Sequence, residues 1–184
     1  MFRQKARFQW GAILGIFLLI FATPSMSVIL IGLPIIMLGE IIRFWANGCI
    51  TKTESLTTFG PYAYVRNPLY LGTNTMMVGF CIISGNLWAS LIVMSAYYTI
   101  YRRQILAEES DLEKLFQDDY RKYKKHVPRI IPALRRYPFA ESKGFRMKKL
   151  QRNKEVANAS WVLVLLVAFY LYKLKIAPLF YETI

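Results

Sequence analysis

Blocks of apolar residues alternate with polar links along the chain, and this pattern predicts helices that cross a membrane. Four blocks lie roughly at residues 8–22, 27–45, 69–84 and 87–101, and a fifth, Ser160–Tyr172, follows much later. Several are shorter than the ~20 residues that span ~30 Å of hydrocarbon, which a locally thinner bilayer accommodates. Lipid offers the backbone no hydrogen-bond partners, so helices are the expected form. We therefore expect an all-α, polytopic transmembrane bundle of four to five spans.

A different periodicity follows the fourth block. Residues 101–125 carry apolar side chains at the 3.6-residue spacing of an amphipathic helix. The apolar face consists of Ile105, Leu112, Phe116 and Tyr123, with Leu115 and Tyr120 beside them. The pair Val127-Pro128 should end this helix, because proline lacks the amide hydrogen that continues it. The pattern predicts a cytoplasmic amphipathic helix attached to the bundle.

Composition and charge support a membrane protein. The 184 residues are 55% hydrophobic, yet Lys and Arg number 24 against 11 Asp and Glu, for a net charge of +13. This is too apolar for a disordered chain. The basic residues cluster, with two-thirds of them between residues 102 and 154. Apolar blocks with clustered cations fit a membrane protein better than a nucleic-acid binder. Two cysteines and one histidine exclude a disulfide framework and leave no plausible zinc site.

The distribution of positive charge predicts the orientation of the bundle. Basic residues precede the first span, occur in the 46–68 link and dominate residues 102–154, whereas the other links between the first four spans are uncharged. By the positive-inside rule these three regions face the cytoplasm. We expect an integral protein of the cell inner membrane, or its equivalent, with its active site on the cytoplasmic side.

The first candidate site is the cytoplasmic loop GPYAYVRNPLYLG, residues 60–72. Gly-Pro favours a tight turn, and Asn67 before Pro68 disfavours the α region and so separates the loop from the following span. Three tyrosines, an arginine and an asparagine offer the π faces, cation and amide that an adenosine-type ligand needs. The structural alternative is an interfacial loop with belt tyrosines and a snorkelling arginine.

The second candidate is the acidic pair Glu108-Glu109. Glu109 lies near the centre of the apolar face of the amphipathic helix, and Glu108 flanks it. A carboxylate in an apolar stripe costs free energy unless it is paired, so the pair is either ion-paired or functional. Arg66 and Arg103 are the partners that we expect. The structural alternative is an ion pair that only docks the helix.

Two further charged groups have weaker functional signals. Glu40 and Arg43 are three residues apart near the end of the second span, and we favour an orienting ion pair there. The basic run 120–132 is typical of a solvated face that attracts anionic lipid. Its paired prolines, Pro128 and Pro132, indicate a defined turn rather than a plain basic helix.

Three blocks, in this order, resemble the isoprenylcysteine carboxyl methyltransferase family and the wider group of membrane methyltransferases that includes phospholipid N-methyltransferases. They are IIRFWANGCITK, GPYAYVRNPLYLG and EESDLEKLFQDDYRKYKKHVPRIIP, which together cover roughly residues 39–132. The resemblance implies an S-adenosylmethionine-dependent methyltransferase without a Rossmann domain, whose cofactor pocket lies at the cytoplasmic membrane surface. It implies catalytic roles for Arg66, Glu108 and Glu109.

The same resemblance implies the residues that hold the cofactor. They are Tyr64, Val65, Arg66, Asn67, Pro68, Tyr70, Leu71, Gly72, Glu108, Glu109, Tyr120, Tyr123, Pro128, Arg129 and Pro132. Asn67 departs from the family, because the prenylcysteine enzymes usually carry histidine at this position. Asparagine does not titrate, so we expect no general base at this position. A carboxylate acceptor needs no base, whereas an amine, a thiol or a phenol does.

The expected organisation is a methyltransferase domain, residues 1–134, followed by a basic connector and apolar segment, residues 135–184, that the resemblance does not cover. The expected partners are membrane lipids and a lipid-like or isoprenoid-bearing methyl acceptor, with no nucleic acid and no metal. Methylation of a carboxylate oxygen is the leading reaction. N-methylation of a lipid head group is the first alternative, and a non-catalytic adaptor that binds anionic lipid is the second.

Overall fold

A computed structural model of the chain describes residues 2–50, 55–141, 144–152 and 155–171. In these ranges the regular structure is helical, as expected from the apolar blocks. The helices are α1 (Phe2–Ile20), α2 (Met26–Cys49), α3 (Pro68–Ser84), α4 (Leu87–His126), α5 (Met147–Arg152) and α6 (Glu155–Leu171), with a 3-10 turn at Gly60–Ala63. The predicted all-α fold class is confirmed for the described residues.

Each predicted apolar block coincides with a helix of the structure, although the first extends two residues beyond the end of α1 at Ile20. Over the described residues, only α2 is both long and apolar enough to cross a membrane, with a mean hydropathy of 2.0. Shorter apolar stretches occupy Trp10–Ile20, Pro68–Ser84 and Val162–Leu171. The last of these corresponds to the fifth predicted block, whose final residue, Tyr172, falls outside the described residues.

The chain divides into two compact units. We call residues 1–37, 75–104 and 158–184 the apolar unit, and residues 38–74 and 105–157 the motif unit. Helices α2, α3 and α4 each contribute one end to each unit. In the apolar unit, α2 and α3 approach closely at two glycines, since a Cβ atom on Gly32 would lie 2.7 Å from the carbonyl oxygen of Gly79. Small residues allow such backbone approach in lipid.

The motif unit contains the loop and the acidic pair that the sequence singles out. Residues after the predicted boundary at residue 134 pack within it. The ring of Phe145 occupies the space that a side chain at Gly48 would need. Lys149 Nζ donates a 2.7 Å hydrogen bond to the carbonyl oxygen of Cys49, the last residue of α2. A cation is favourable at this point, because the carbonyl end of a helix carries partial negative charge.

The structure shows no break between the fourth predicted span and the predicted amphipathic helix. The fourth apolar block and the amphipathic helix form one element of 40 residues, Leu87–His126, which ends before Val127-Pro128 as expected. Gln117 interrupts it with φ 41° and ψ −114°. Ile105 and Tyr123 are buried, as the periodicity predicts, and so is Tyr120. Leu115, expected beside the apolar face, is instead exposed.

Candidate functional site

The loop that precedes α3 has a local fold that its sequence explains. Gly60 has φ +61°, and a Cβ atom there would lie 2.5 Å from Cys49 Sγ, so glycine suits both the conformation and the space. The chain then forms the 3-10 turn, and α3 begins at Pro68. Proline at the first helical position is favourable, because its missing N–H would have no intrahelical partner. The loop therefore ends at Asn67.

The loop and the acidic pair meet inside the motif unit. The Glu109 carboxylate accepts Arg66 Nε at 3.2 Å and Asn67 Nδ2 at 2.9 Å on Oε1. Its Oε2 accepts Arg129 Nε at 3.0 Å, and Arg129 Nη2 lies 2.9 Å from the same atom. We call Arg66, Asn67, Glu109 and Arg129 the ionic cluster. Its two cations and one anion carry a net charge of +1.

Burial differs among the members of the ionic cluster. The side chains of Arg66 and Glu109 are only 8% and 5% exposed, whereas that of Arg129 is 42% exposed. Arg66 Nη1 also donates to the carbonyl oxygens of Lys124 and Val127, at 2.9 and 3.0 Å. Arg66 therefore ties the end of α4 to the loop. Arg129 is the cation of the cluster that faces outward.

The backbone continues this connection between the loop and the segment after α4. The Arg66 amide donates to the carbonyl oxygen of Pro128 at 2.8 Å, and the Asn67 amide donates to that of Arg129 at 3.2 Å. Asn67 Nδ2 also lies 3.2 Å from the Arg129 carbonyl oxygen. Segments more than 60 residues apart in the chain are thus held in register by main-chain and side-chain hydrogen bonds.

Electrostatics keep the Glu109 carboxylate charged. Burial alone would raise its pKa, but the hydrogen bond from Arg129, the charge of Arg66 and the hydrogen bond from Asn67 together hold the pKa below the usual value. The pKa of Arg129 is raised, mainly by its hydrogen bond to Glu109. Both groups are ionised at neutral pH, so the cluster is a fixed charge constellation and not a proton store.

Aromatic residues pack beside the ionic cluster. Tyr120, Tyr123 and Tyr137 form a buried core with Ala63 and Val127. Tyr123 Oη donates a 2.6 Å hydrogen bond to the carbonyl oxygen of Tyr62, and Tyr137 stacks edge-on against Tyr123. The amide of Tyr137 donates to the carbonyl oxygen of Ala63 at 2.8 Å. The core fixes the position of the loop relative to the second half of α4.

One hydroxyl group in this core, that of Tyr120, has no hydrogen-bond partner among the described residues. Tyr120 is 1% exposed, and its Oη makes no hydrogen bond within the described part of the chain. Burial, followed by the negative charge of Glu109, raises the pKa of Tyr120, so the hydroxyl stays protonated and is a donor. A buried donor without an acceptor is costly, and such groups are rare unless a ligand or water satisfies them.

Comparison with known proteins assigns the family. The family model described as phospholipid methyltransferase matches residues 10–119, more than half of the chain. This chain belongs to the phospholipid methyltransferase family. The match includes the loop and Glu109.

Three relatives illustrate the range of similar proteins. A protein-S-isoprenylcysteine O-methyltransferase of Schizosaccharomyces pombe is 35% identical over 83 residues, 45% of this chain and 35% of the relative. The cobalt-zinc-cadmium resistance protein CzcN of Cupriavidus metallidurans is 26% identical over 139 residues, 74% of this chain and 63% of the relative. A methanethiol S-methyltransferase of Pseudomonas deceptionensis is 33% identical over 84 residues, 42% of this chain and 28% of the relative.

The chain spans less than two thirds of the length of each of these relatives. No solved structure matches the chain significantly. The resemblance to isoprenylcysteine carboxyl methyltransferases that the three sequence blocks indicate is confirmed by the family match and by the protein-S-isoprenylcysteine O-methyltransferase among these relatives.

The remaining residues that the resemblance assigns to cofactor binding differ in burial. Val65, Pro68 and Tyr70 are buried, Tyr64, Leu71, Glu108 and Pro128 are half-buried, and Pro132 is exposed. Gly72 lies against α2, because a Cβ atom there would be 2.6 Å from the carbonyl oxygen of Gly39. The described contacts of Arg66, Asn67 and Arg129 with an acidic side chain all go to Glu109 and not to Glu108.

The second cation on Glu109 was not expected. The sequence predicts Arg66 and Arg103 as partners, and Arg66 is confirmed. The other partner is Arg129, whereas Arg103 is exposed. Arg129 follows the helix-ending proline by one residue, so it reaches Glu109 only because the chain turns back there. Tyr137 was also missed, although its position between Pro132 and Pro138 in a basic segment is a local signal for an anchored aromatic residue.

Other charged groups of this family member lie outside the ionic cluster. Arg43 Nε lies 3.7 Å from Glu40 Oε2, and Arg43 Nη1 donates to Thr73 Oγ1 at 2.7 Å. The favoured interpretation of Glu40 and Arg43 as an orienting pair therefore agrees with the contacts. An open hollow of about 470 Å³ on α4 is lined by Ser110, Glu113, Lys114, Gln117 and Arg121, and it includes no member of the ionic cluster.

Proposed function

We propose that this chain is an integral membrane methyltransferase that uses S-adenosylmethionine and methylates a lipid-like acceptor. One observation carries the proposal. The loop residues Arg66 and Asn67, the buried carboxylate of Glu109 and the outward-facing Arg129 converge in one hydrogen-bonded cluster. The family membership and the methyltransferases among the relatives support the same reaction class.

The residues present fit S-adenosylmethionine in two respects. Glu109 uses Nε and Nη2 of Arg129, which leaves Nη1 of this half-exposed guanidinium to bind an anion such as the methionyl carboxylate. The unsatisfied hydroxyl of Tyr120 is a buried donor for a polar atom of the same ligand. When bound, S-adenosylmethionine supplies an electrophilic methyl group on a sulfonium centre, to which tyrosine faces are attracted electrostatically.

The chain's own contribution is mainly positional. Methyl transfer is an in-line displacement, so holding donor and acceptor in line supplies much of the rate enhancement. Both oxygens of Glu109 accept hydrogen bonds from arginines. Glu109 is therefore a positioning residue that holds Arg66 and Arg129 in place. Arg66 donates to two carbonyl groups as well as to Glu109, so we assign it to holding the site together.

The acceptor that we propose is a carboxylate oxygen. Asn67 occupies the only loop position where the resemblance suggests a titratable base, and its amide instead donates to Glu109. A carboxylate attacks without a base, so an asparagine at this position favours it over an acceptor that must lose a proton. The competing acceptor is the amine of a phospholipid head group, which the family's description favours.

We further propose that the apolar helices cross the membrane at residues 8–22, 27–45, 69–84 and 87–101, with the site facing the cytoplasm. Large apolar side chains that face outward on every apolar helix support this. They include Ile13 and Ile16 on α1, Leu30, Ile31 and Ile41 on α2, Leu87 and Ile92 on α4, and Leu163 and Val164 on α6. Soluble proteins rarely expose contiguous apolar surface on this scale.

Calorimetric titration with S-adenosylmethionine of detergent-purified protein tests the cofactor proposal. Arg129→Gln removes the outward cation of the cluster, and Arg121→Gln is the matched control, because Arg121 is also an exposed arginine paired with a glutamate of α4. We expect binding by the wild type and the control, and at least roughly tenfold weaker binding by Arg129→Gln, the loss of one charge-assisted hydrogen bond. Absence of wild-type binding by folded protein would favour the lipid-binding adaptor.

A second experiment distinguishes the acceptors. Protein in bilayer nanodiscs is incubated with methyl-labelled S-adenosylmethionine and, in separate reactions, a prenylcysteine analogue, phosphatidylethanolamine and methanethiol. We expect label in the carboxyl ester of the prenylcysteine analogue, which base hydrolysis releases as methanol. Base-stable label in the phospholipid would instead establish N-methylation and overturn the proposed acceptor without affecting the proposed cofactor.

A further inference from the structure

An exposed apolar loop follows the ionic cluster directly. Residues 130–136, which we call the wedge loop, present Leu134 and Ile131 to the surroundings at 102% and 80% relative exposure. Aliphatic side chains are normally buried, so two that are almost fully exposed within four residues of one loop are suited to contact with an apolar surface. Arg135 and Arg136 follow them and are exposed as well.

The wedge loop is held in place at both ends. On one side, Arg129 is bonded to Glu109, and on the other the Tyr137 amide donates to Ala63. Between them the Ala133 amide donates 2.8 Å to the Tyr64 carbonyl oxygen. Prolines at 128, 132 and 138 restrict the backbone further. The two aliphatic side chains are therefore displayed by a fixed framework.

Position and charge identify the partner surface. The Asn67 amide donates to the Arg129 carbonyl oxygen, and Asn67 directly precedes the first residue of α3. The wedge loop therefore starts at the same membrane depth as the proposed α3 span. From residue 121 to residue 149 the chain carries eleven Lys and Arg and a single acidic residue, Glu141. Like charge opposes contact between two copies of this surface, whereas anionic lipid complements it.

We propose that the wedge loop inserts Ile131 and Leu134 into the interfacial layer of an anionic bilayer and sets Arg135 and Arg136 against lipid phosphates. The proposal rests on the membrane location under "Proposed function", but it requires neither cofactor binding nor catalysis. Its consequence is that the ionic cluster, through Arg129, is coupled to the layer from which a lipid-like acceptor would arrive.

Spin-label accessibility measures this insertion. The full chain, with Cys49→Ala and Cys81→Ala, is placed in nanodiscs of phosphatidylcholine and phosphatidylglycerol and labelled at Leu134→Cys or Ile131→Cys. Ser110→Cys, on the exposed surface of α4 in the same unit, is the matched control. Replacing side chains this exposed leaves the packing intact. We expect the labels at 134 and 131 to collide more with oxygen than with a water-soluble nickel chelate, and the label at 110 to show the reverse.

Charge dependence completes the test. Arg135→Gln with Arg136→Gln, or discs of phosphatidylcholine alone, should shift the label at 134 towards nickel accessibility. Nickel accessibility at 134 equal to that at 110 in anionic discs would overturn the proposal. Dipolar coupling between labels at 134 on two chains, lost in discs that hold a single chain, would also overturn it. The surface that covers the wedge loop would then be a second copy of the protein. Neither result depends on S-adenosylmethionine binding, which calorimetry measures separately.

Discussion

Two carboxylates one turn apart on helix α4 are each paired with two cations, but in different surroundings. Glu109 is paired with two arginines and is almost completely buried. Four residues later, Glu113 is partly exposed and is paired with Arg121 and Lys124, with N–O distances of 3.4 and 3.2 Å. Arg121 is 62% exposed and also contacts Asp118. One carboxylate and two cations therefore recur within about one helical turn.

Burial decides what each set of charges does. Exposed ion pairs contribute little, because water screens them and long side chains lose entropy when they are held. Buried charges are expensive to leave unpaired, so the buried carboxylate of Glu109 holds in place the side chains that bond to it. The pKa of Glu113 is also lowered, mainly by its hydrogen bond from Lys124. A lowered pKa alone therefore does not distinguish a structural or functional carboxylate from a surface one.

The largest expected effect comes from Glu109→Gln. This change leaves the Arg66 guanidinium buried without its carboxylate, and removing one partner of a buried ion pair costs about 3–5 kcal/mol of unfolding free energy. Denaturant titration of the purified protein measures the loss. Glu113→Gln is the control and should unfold at the same denaturant concentration as the wild type within error. Equal losses from the two changes would show that burial does not distinguish the two carboxylates.

Tyr123→Phe should have an intermediate effect on stability. The change removes the buried 2.6 Å hydrogen bond to the Tyr62 carbonyl oxygen, at a cost of about 1–2 kcal/mol. The same titration measures it. No loss of stability would mean that the hydroxyl does not hold the loop to α4.

Acid should reduce the contribution of Glu109 to the free energy of unfolding. The pKa of Glu109 in the folded chain lies below its ordinary value of 4.5, because Arg129, Arg66 and Asn67 outweigh the effect of burial. Stability from this shift is fully present above the ordinary value and is lost as the pH falls through the lowered pKa. The unfolding free energy of the wild type minus that of Glu109→Gln should therefore shrink below pH 4.5. A constant difference down to acid pH would contradict the charged state that we assign.

The smallest expected effect on stability is that of Tyr120→Phe. The Tyr120 hydroxyl has no hydrogen-bond partner within the described residues, so its removal should leave the unfolding free energy unchanged or slightly raised in the absence of ligand. Thermal unfolding of the ligand-free protein, compared with Tyr123→Phe, checks this contrast. A loss as large as that of Tyr123→Phe would indicate a partner for the hydroxyl within the fold.

The features encoded locally could be predicted from the sequence. Apolar blocks indicated the helices, Asn67-Pro68 indicated the start of α3, and the inward position of Glu109 followed from its place in the apolar stripe. The choice of Arg129 as the second cation could not be predicted, since it depends on how the chain turns after α4. The interruption at Gln117 has no glycine or proline to signal it.

The packing of residues after 134 into the compact unit around the site is a second feature that no local sequence pattern predicts. Residues after 134 resemble no family block, yet Tyr137, Phe145 and Lys149 contact the loop or the end of α2. These contacts join segments about 75 to 100 residues apart in the sequence. Periodicity and spacing describe neighbours within one element, so they do not indicate which distant segment covers a given face. The functional boundary at residue 134 stays a prediction.

The binding of S-adenosylmethionine by Tyr120→Phe, measured by calorimetry beside the wild type and the control Arg121→Gln, tests the central claim most directly. The claim is that the ionic cluster and the buried core beside it form a cofactor site in which the Tyr120 hydroxyl bonds to the ligand. We expect Tyr120→Phe to bind about tenfold more weakly, the loss of one buried hydrogen bond, while Arg121→Gln keeps wild-type affinity. Equal affinity of Tyr120→Phe and the wild type would contradict the claim.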